Sequence, residues 1–154
     1  MIATADLYDE RGDELQSLGL QLQNLGGHAR FSGPIRTVTC WEDNARLKAL
    51  LSTPGEGAVL VVDGGGSLGA ALMGDMIADL AVANGWAGVI INGVIRDRVA
   101  MLGMDLGVKA LGSNPRKSGK TGSGVTDADV EFGGVRFVPG RTVYSDEDGI
   151  LIER

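Results

Sequence analysis

The stretch that decides the fold is VLVVDGGGSLGAALMGD, from Val59 to Asp75. Its first four residues form an apolar run typical of a strand that is buried on both faces of a sheet. Gly64, Gly66 and Gly69 then spell G-x-G-x-x-G, which is the form of a dinucleotide-binding turn. Such a turn also needs a helix that begins on the last glycine and an acidic residue at the tip of the next strand.

The residues after the glycines meet these requirements poorly. Ser67 to Met73 is a bridge of mostly small residues, and helical spacing of apolar residues runs from Leu72 to Asn84. The next predicted strand begins at Ala87 and ends at Asn92-Gly93, with no acidic residue at its tip. The turn is not followed by the Gly-Lys-Ser/Thr of a P-loop. We therefore interpret the glycines as a tight turn rather than as a nucleotide site.

The composition is that of one globular domain spanning residues 1–154. The net charge is −6 and the basic residues form one cluster, Arg116 to Lys120, so nucleic acid is not expected as a direct ligand. The single cysteine, Cys40, excludes an internal disulfide and a cysteine-based metal cluster. No apolar run reaches the length of a membrane span, and the N-terminal residues lack the apolar centre of a signal peptide. We expect a cytoplasmic protein without membrane contact.

The order of the predicted elements indicates an α/β fold. A short N-terminal helix, capped by Thr4 or Asp6, is followed by alternating strands and helices. Two hairpins come last, at Val130 to Val138 and at Thr142 to Ile152. Between them and the alternating part lies a polar loop, Ser113 to Gly124, which we expect to be the least ordered segment. The sequence therefore predicts a compact domain with a mixed sheet.

Two charged motifs flank the helix and strand that follow the glycine turn. Gly74-Asp75 stands at the start of the helix, and Arg96-Asp97 follows the strand, with twenty residues between Asp75 and Arg96. A strand–helix–strand unit of this length brings both motifs to one edge of the sheet. Free amides at a helix start attract anions, Arg suits a carboxylate or carbonyl, and Asp oxygens suit Mg²⁺ or Mn²⁺. A site for a carboxylate ligand and a divalent cation is one interpretation.

A structural interpretation of the same residues stays open. Arg96 could pair with Asp75 as an ion pair, and Asp97 could cap the turn that follows it. The single histidine, His28, follows a Gly-Gly turn, and we expect it to be structural or exposed to solvent rather than catalytic.

Together these motifs resemble the RraA-like family, which includes the regulator of ribonuclease activity A and the class II 4-hydroxy-4-methyl-2-oxoglutarate aldolases. The resemblance covers nearly the whole chain and rests on Thr4–Leu7, Gly33-Pro34, Val61–Gly64, Gly74-Asp75, Gly85–Val89 and Arg96-Asp97. It implies a swivelling β/β/α fold assembled as a homotrimer, with active sites at subunit interfaces. It also implies metal-dependent cleavage of 4-hydroxy-4-methyl-2-oxoglutarate to two pyruvates, and decarboxylation of oxaloacetate.

By this resemblance, Asp97 is expected to bind the divalent metal, Mg²⁺ or Mn²⁺, and Arg96 to contact the pyruvyl part of the substrate. The helix start is expected to supply further substrate contacts, from Gly74, Asp75, Met76 and Ile77. Both reactions pass through a pyruvate enolate, so the catalytic task is to stabilise negative charge on the former ketone oxygen. Asp75 is the expected base for the C4 hydroxyl, either directly or through a metal-bound water.

A route through an imine would instead need a buried lysine with a low pKa. Lys48 lies on a helical surface pattern, Lys117 and Lys120 lie in the polar loop, and Lys109 is a poor candidate. The loop is expected to be solvated, with contact to an anionic substrate of a neighbouring subunit left open.

A function from a different class also stays open. By the resemblance, some family members inhibit a degradosome ribonuclease, and an acidic trimer suits basic segments of such a ribonuclease or its helicase partners. Those inhibitors can lack the second residue of the Arg-Asp motif, whereas this sequence retains Asp97. The family also includes proteins named menaquinone methyltransferases, and no motif here is typical of that activity. We expect a lyase acting on a small 2-oxo acid, with a non-catalytic regulator as the alternative.

Overall fold

Twelve strands and four α-helices make up the chain, and a computed structural model describes all residues from 1 to 154. The helices are α1 (Thr4–Arg11), α2 (Ala45–Leu51), α3 (Asp75–Ala83) and α4 (Arg98–Met101), with a 3₁₀ turn at Gly12–Glu14. None of these helices has the length and apolar character needed to cross a membrane. The strands are β1 (Leu15–Ser17), β2 (Gln23–Asn24), β3 (Phe31–Thr39), β4 (Val59–Asp63), β5 (Ala71–Met73), β6 (Gly88–Ile95), β7 (Gly107–Ser113), β8 (Val125–Thr126), β9 (Val130–Phe132), β10 (Val135–Phe137), β11 (Thr142–Ser145) and β12 (Ile150–Glu153).

The main sheet is mixed. Its order is β1-β12-β11-β3-β4-β6-β7-β2, with β5 beside β6 and β8 beside β3. The central pairs β3–β4, β4–β6 and β6–β7 are parallel, and α2, α3 and α4 lie in the connections between their strands. The outer pairs are antiparallel, and β9–β10 form a separate hairpin. This confirms the predicted α/β fold with a mixed sheet.

The residues of β4 show why the parallel strands are covered on both faces. Leu60 and Val62 pack in a cluster with residues of α2, α3 and α4, whereas Val59 and Val61 pack against β9 to β12 on the other face. All four side chains are fully buried, and burying such a side chain stabilises the fold by roughly 1.5–3 kcal/mol. The result is a helix layer, a parallel sheet and a second β layer, as in the β/β/α arrangement that the resemblance implied.

The segment after the glycine turn differs from the prediction. Ala71 to Met73 form strand β5, so the apolar spacing that begins at Leu72 is not helical in its first residues. Helix α3 begins at Asp75 with Gly74 as its N-cap, as predicted from the position of the Gly74-Asp75 motif. Strand β6 does not end at Asn92-Gly93 but continues to Ile95, because β5 and β7 pair with its last residues on either side. Arg96 therefore follows directly at the carboxyl end of β6, where its amide donates to the Met73 carbonyl at 3.0 Å.

The start of α1 also differs from the prediction, because neither Thr4 nor Asp6 is its N-cap. Ala3 precedes the helix, and the Thr4 amide and hydroxyl each donate to the buried carboxylate of Asp146 at 2.7 Å. Burial favours a raised pKa for Asp146, but these and neighbouring hydrogen bonds outweigh it and hold the pKa below its ordinary value. The acceptor lies 142 residues away in the chain, which no local pattern reveals.

Candidate active site

In the glycine turn between β4 and β5, the backbone amides of Gly64, Gly65 and Gly66 all have hydrogen-bond acceptors. The Gly64 and Gly66 amides donate to the Asn92 carbonyl at 3.0 and 3.1 Å, and the Gly65 amide donates to Asp63 Oδ1 at 3.0 Å. A phosphate-binding turn needs amides that are free to point at the ligand. The turn is therefore structural, which agrees with the interpretation made from the sequence.

A cleft of about 310 Å³ opens at the carboxyl edge of the parallel strands. This volume is at the lower end of the range for small-molecule sites. All six residues predicted from the sequence line the cleft, namely Gly74, Asp75, Met76, Ile77, Arg96 and Asp97. Helix α2 and the loop after β7 complete the wall with Asn44, Lys48, Lys117, Ser118 and Lys120, together with Ala71 and Leu80. The topology thus joins the two charged motifs and adds a group of lysines to them.

The first turn of α3 presents amides without acceptors. The Ala78 amide donates to the Gly74 carbonyl at 3.0 Å, whereas the amides of Met76 and Ile77 have no acceptor. Met76 is 77% exposed, whereas the Ile77 side chain is buried in the hydrophobic cluster between the helices and the parallel sheet. Because the positive end of the helix dipole lies here, these amides suit a carboxylate oxygen.

Asp97 joins the end of β6 to the start of α3. Its Oδ2 accepts a hydrogen bond from the Asp75 amide at 3.0 Å. Its backbone is left-handed, with φ 59° and ψ 47°, a conformation uncommon outside glycine. Gly74 permits the close approach, since a Cβ there would lie 2.7 Å from Asp97 Oδ2 and 3.2 Å from Arg96 Nε. Tight packing therefore holds the Asp97 carboxylate beside the helix start.

The structural interpretation of these charges is wrong for the ion pair and holds only in part for the cap, because Asp97 occupies the N-cap position of α4 and its carbonyl accepts from the Met101 amide at 2.9 Å. Arg96 and Asp75 form no ion pair within 4.0 Å, and neither side chain is hydrogen-bonded. Asp97 makes no side-chain cap on α4 and bonds to α3 instead. The charges of Asp75 and Arg96 are consequently available to a ligand.

The cleft is cationic although the chain as a whole carries a net charge of −6. Its two acidic side chains, Asp75 and Asp97, face a larger basic set of Lys48, Arg96, Lys117 and Lys120. Such a local surplus attracts small anions. Lys48, Lys117 and Lys120 are all exposed, as expected from the sequence, but their place along one cleft was not predicted. The available signal was the spacing of four residues between Asn44, the N-cap of α2, and Lys48 within the helix, which brings both to the same side of the helix start.

The loop expected to be least ordered is fixed by hydrogen bonds. The buried Asp43 carboxylate accepts from the Thr121 amide at 2.6 Å, the Thr121 hydroxyl at 2.8 Å and the Gly122 amide at 3.1 Å. The buried Ser118 hydroxyl donates to the Ala71 carbonyl at 2.7 Å. Burial favours a raised pKa for Asp43, but its hydrogen bonds outweigh it and hold the pKa below its ordinary value. Composition alone was misleading for this loop.

This loop also contains Gly119-Lys120-Thr121, which has the letters of a P-loop ending and which sequence reasoning overlooked. The P-loop motif requires glycine at position 114, where this chain has Asn114, and no helix follows the loop. The Thr121 amide is already bonded to Asp43. The loop is therefore not a P-loop.

Other reactive groups lie outside the cleft. Lys109 is only 2% exposed and burial lowers its pKa, so it has the environment of an imine-forming lysine, contrary to expectation. Its Nζ instead donates to the Asp146 carbonyl at 2.7 Å. Burial, reinforced by nearby carboxylates, raises the pKa of the Cys40 thiol to about 12, which makes it a poor nucleophile. His28 pairs with Asp105 at the surface.

The carboxylates of the cleft fit a hydrated cation. No group of three or more His, Cys, Asp or Glu side chains could hold a metal ion. Asp97 Oδ1 and the Asp75 carboxylate have no hydrogen-bond partners. Mg²⁺ is usually bound by one or two carboxylates together with waters and substrate oxygens, rather than by a complete protein cage. This donor set suits Mg²⁺ or Mn²⁺ and does not suit a structural zinc centre.

A family model described as RraA-like, Aldolase/RraA, matches residues 4–152 of the chain. The chain is 49% identical to S-adenosylmethionine:2-dimethylmenaquinone methyltransferase from Geobacillus kaustophilus HTA426, with a TM-score of 0.97 over 99% of this chain and 94% of that one. It is 40% identical to the RNA-processing inhibitor RraA from Thermus thermophilus, with a TM-score of 0.96 over 99% and 93% of the two chains. Streptomyces coelicolor RraAS2, an unusual member of the RNase ES inhibitor RraA family, is 29% identical, with a TM-score of 0.77 over 98% and 79%.

Proposed function

The chain belongs to the RraA-like family, and from that premise we propose that it is a divalent-metal-dependent lyase. The proposed reaction cleaves 4-hydroxy-4-methyl-2-oxoglutarate to two pyruvates, with decarboxylation of oxaloacetate as a side activity. One observation carries the proposal. In a single cationic cleft, the Arg96 and Asp75 side chains and one Asp97 oxygen lack partners beside the free amides of α3.

These groups suit the pyruvyl end of the substrate. In the proposed complex, the Met76 and Ile77 amides donate to the C1 carboxylate, and Arg96 donates to the ketone oxygen. That oxygen gains negative charge as the enolate forms, so a fixed cation there stabilises the transition state more than the substrate. Loss of a single donor of this kind commonly lowers kcat by about 100- to 1000-fold.

The remaining groups supply a cation site and a base. Asp97 would hold Mg²⁺ or Mn²⁺, and the bound ion supplies Lewis-acid stabilisation of the enolate oxygen. Asp75 accepts the proton of the C4 hydroxyl while the C3–C4 bond breaks and its electron pair enters the enolate. Decarboxylation of oxaloacetate breaks a C–C bond without a hydroxyl proton, so it does not need Asp75 as a base.

We further propose that the chain forms a homotrimer with the site at a subunit interface. Apolar side chains beside the charged motifs are strongly exposed, with Met76 at 77%, Val99 at 89% and Leu102 at 56%. Large apolar side chains left exposed on or beside two contacting helices, here α3 and α4, support a protein–protein contact at this part of the molecule.

A second candidate function is inhibition of a ribonuclease by surface contact, which the 40% identity to an RNA-processing inhibitor favours. Methyl transfer has weaker support, since the amides of Gly64, Gly65 and Gly66 are already bonded and the cleft is small for a large cofactor.

The variant Asp97→Asn separates catalysis from surface inhibition. Asparagine tolerates the left-handed backbone of this position, so the fold should persist. We expect pyruvate release from oxaloacetate to fall at least about 100-fold, while ribonuclease inhibition, measured on the same samples, stays unchanged. Wild-type pyruvate release by the folded Asp97→Asn protein would contradict the lyase proposal.

A further inference from the structure

The side chain of Arg98 ties the start of α4 to the edge of the main sheet. Its Nη1 donates to Ser113 Oγ at 3.0 Å, and its Nη2 donates to Gln23 Oε1 at 2.6 Å. Ser113 ends β7, and Gln23 begins β2, the last strand of the sheet. The Gln23 side chain is itself fixed, because its Nε2 donates to the Leu111 carbonyl at 3.0 Å. One guanidinium therefore joins α4 to two neighbouring strands.

The bonds of Arg98 are directional rather than those of an ion pair. Arg98 has no carboxylate partner within 4.0 Å, so both of its acceptors are neutral oxygens. Hydrogen bonds with one charged partner are roughly twice as strong as bonds between neutral groups. The planar guanidinium presents its donors in a fixed geometry that a lysine does not reproduce. Arg98 does not line the cleft, so the proposed chemistry gives it no direct role.

The residue before Arg98 needs such a restraint. Asp97 is left-handed, with φ 59° and ψ 47°, and a residue other than glycine keeps this backbone only where the surrounding structure fixes it. Helix α4 supplies little packing, since Met101 is its only buried residue. Strand β6 is irregular near its end, where its register against β7 shifts between Ile91 and Val94. The bonds of Arg98 act one residue away from Asp97 and oppose its return to a commoner conformation.

We propose that Arg98 is a positioning residue that holds the Asp97 carboxylate against the start of α3. This inference rests on the proposed function, in which Asp97 holds the divalent cation. Asp97 Oδ2 accepts from the Asp75 amide at 3.0 Å, and Oδ1 has no protein partner. Both oxygens move together when the Asp97 backbone relaxes. Loss of the Arg98 bonds therefore weakens the hydrogen bond to α3 and the cation site at once.

Hydrogen exchange at the Asp75 amide tests the placement of Asp97 without metal or substrate. Exchange is followed by NMR in the metal-free full chain. The Ala78 amide, which is bonded within α3 at 3.0 Å, reports whether the helix start is intact. We expect Arg98→Gln to accelerate exchange at Asp75 severalfold and to leave exchange at Ala78 unchanged. Equal acceleration at both amides would mean that the helix start has opened as a whole, and would overturn the positioning role.

The acceptors of Arg98 provide a second variant for the same measurement. The double variant Gln23→Ala/Ser113→Ala removes both acceptors and keeps the charge of Arg98, and we expect the same acceleration at Asp75. Arg46→Gln is the matched control for loss of one positive charge, because Arg46 is an exposed arginine of α2 with one long side-chain hydrogen bond, at 3.5 Å. Unchanged exchange at Asp75 in Arg98→Gln and in the double variant would overturn the proposal, and so would equal acceleration in the control.

Binding of Mn²⁺ alone separates this inference from the proposed function. By charge alone, loss of a cation near the site should strengthen Mn²⁺ binding, whereas misplacement of the Asp97 ligand should weaken it. We expect the calorimetric Kd for Mn²⁺ to rise about 10-fold in Arg98→Gln and in the double variant, as is usual when a group that orients a metal ligand is lost.

The two measurements fail in different ways. A wild type that binds no Mn²⁺, although exchange at the Asp75 amide responds to Arg98→Gln, would refute the cation site of the lyase and keep the positioning role. A wild type that binds Mn²⁺ with an affinity that neither Arg98→Gln nor the double variant lowers would refute the positioning of Asp97 and leave the lyase proposal intact.

Discussion

Gly74→Ala should damage the site without damaging the fold. The backbone at Gly74, with φ −117° and ψ −169°, is extended and open to alanine. The new Cβ would lie 2.7 Å from Asp97 Oδ2, so that oxygen must retreat by about 0.7 Å to reach the 3.4 Å of ordinary contact. The shift would lengthen the hydrogen bond that Asp97 accepts from the Asp75 amide, now 3.0 Å. Because misplacement by about 1 Å can lower a rate about 100-fold, we expect a loss of that order.

The assay is initial-rate pyruvate release from oxaloacetate, with thermal unfolding of the same samples. Alanine also restricts the unfolded chain, so we expect stability to change by less than about 1 kcal/mol, or a few degrees in Tm. Gly19→Ala is the matched control, because its Cβ would meet only the Gly133 carbonyl at 3.6 Å. A kcat/KM in Gly74→Ala equal to that of the wild type would refute the proposed role of Gly74 in placing Asp97. A loss of activity that matches the fraction of unfolded protein would refute it as well.

Two further outcomes follow from the buried charges. Lys109→Met should keep pyruvate release within about threefold of wild type, because its ammonium is bonded to Asp146 outside the cleft; a loss above about 10-fold would favour an imine route. The folded state holds the pKa of Asp43 and that of Asp146 below their ordinary values. The two ionised carboxylates therefore contribute fully to the stability of the fold above the unfolded pKa of about 4, and this contribution is lost as the pH falls through the folded pKa. Tm measured from pH 7 to about 3 should therefore fall at the acidic end, and Asp43→Asn should make this fall smaller. If the pH dependence of Tm is the same in Asp43→Asn as in the wild type, the Asp43 carboxylate does not stabilise the loop at Thr121 and Gly122 as described.

The part of the fold that could be predicted depends on local patterns. The apolar run beginning at Val59 is buried on both faces, since a continuous β-branched run has no face suited to water. The spacing from Asp75 to Arg96 was informative because parallel strand–helix–strand units always return to the same edge.

The remainder depends on contacts between distant residues. Asp146 bonds to Thr4 across 142 residues, and Asp43 fixes a loop some 80 residues later. Strand β6 runs past Gly93 because both β5 and β7 pair with its last residues. Lys48 has a surface pattern in its own helix and becomes part of the cleft through the tertiary arrangement.

The most direct test of the central claim is the yield of pyruvate per molecule of 4-hydroxy-4-methyl-2-oxoglutarate consumed, with Mg²⁺ or Mn²⁺ and after chelation. We predict two pyruvates for each substrate molecule with either metal, and loss of turnover after chelation that returns when the metal is restored. No consumption of the substrate, a yield other than two, or turnover that survives removal of the metal would contradict a metal-dependent lyase.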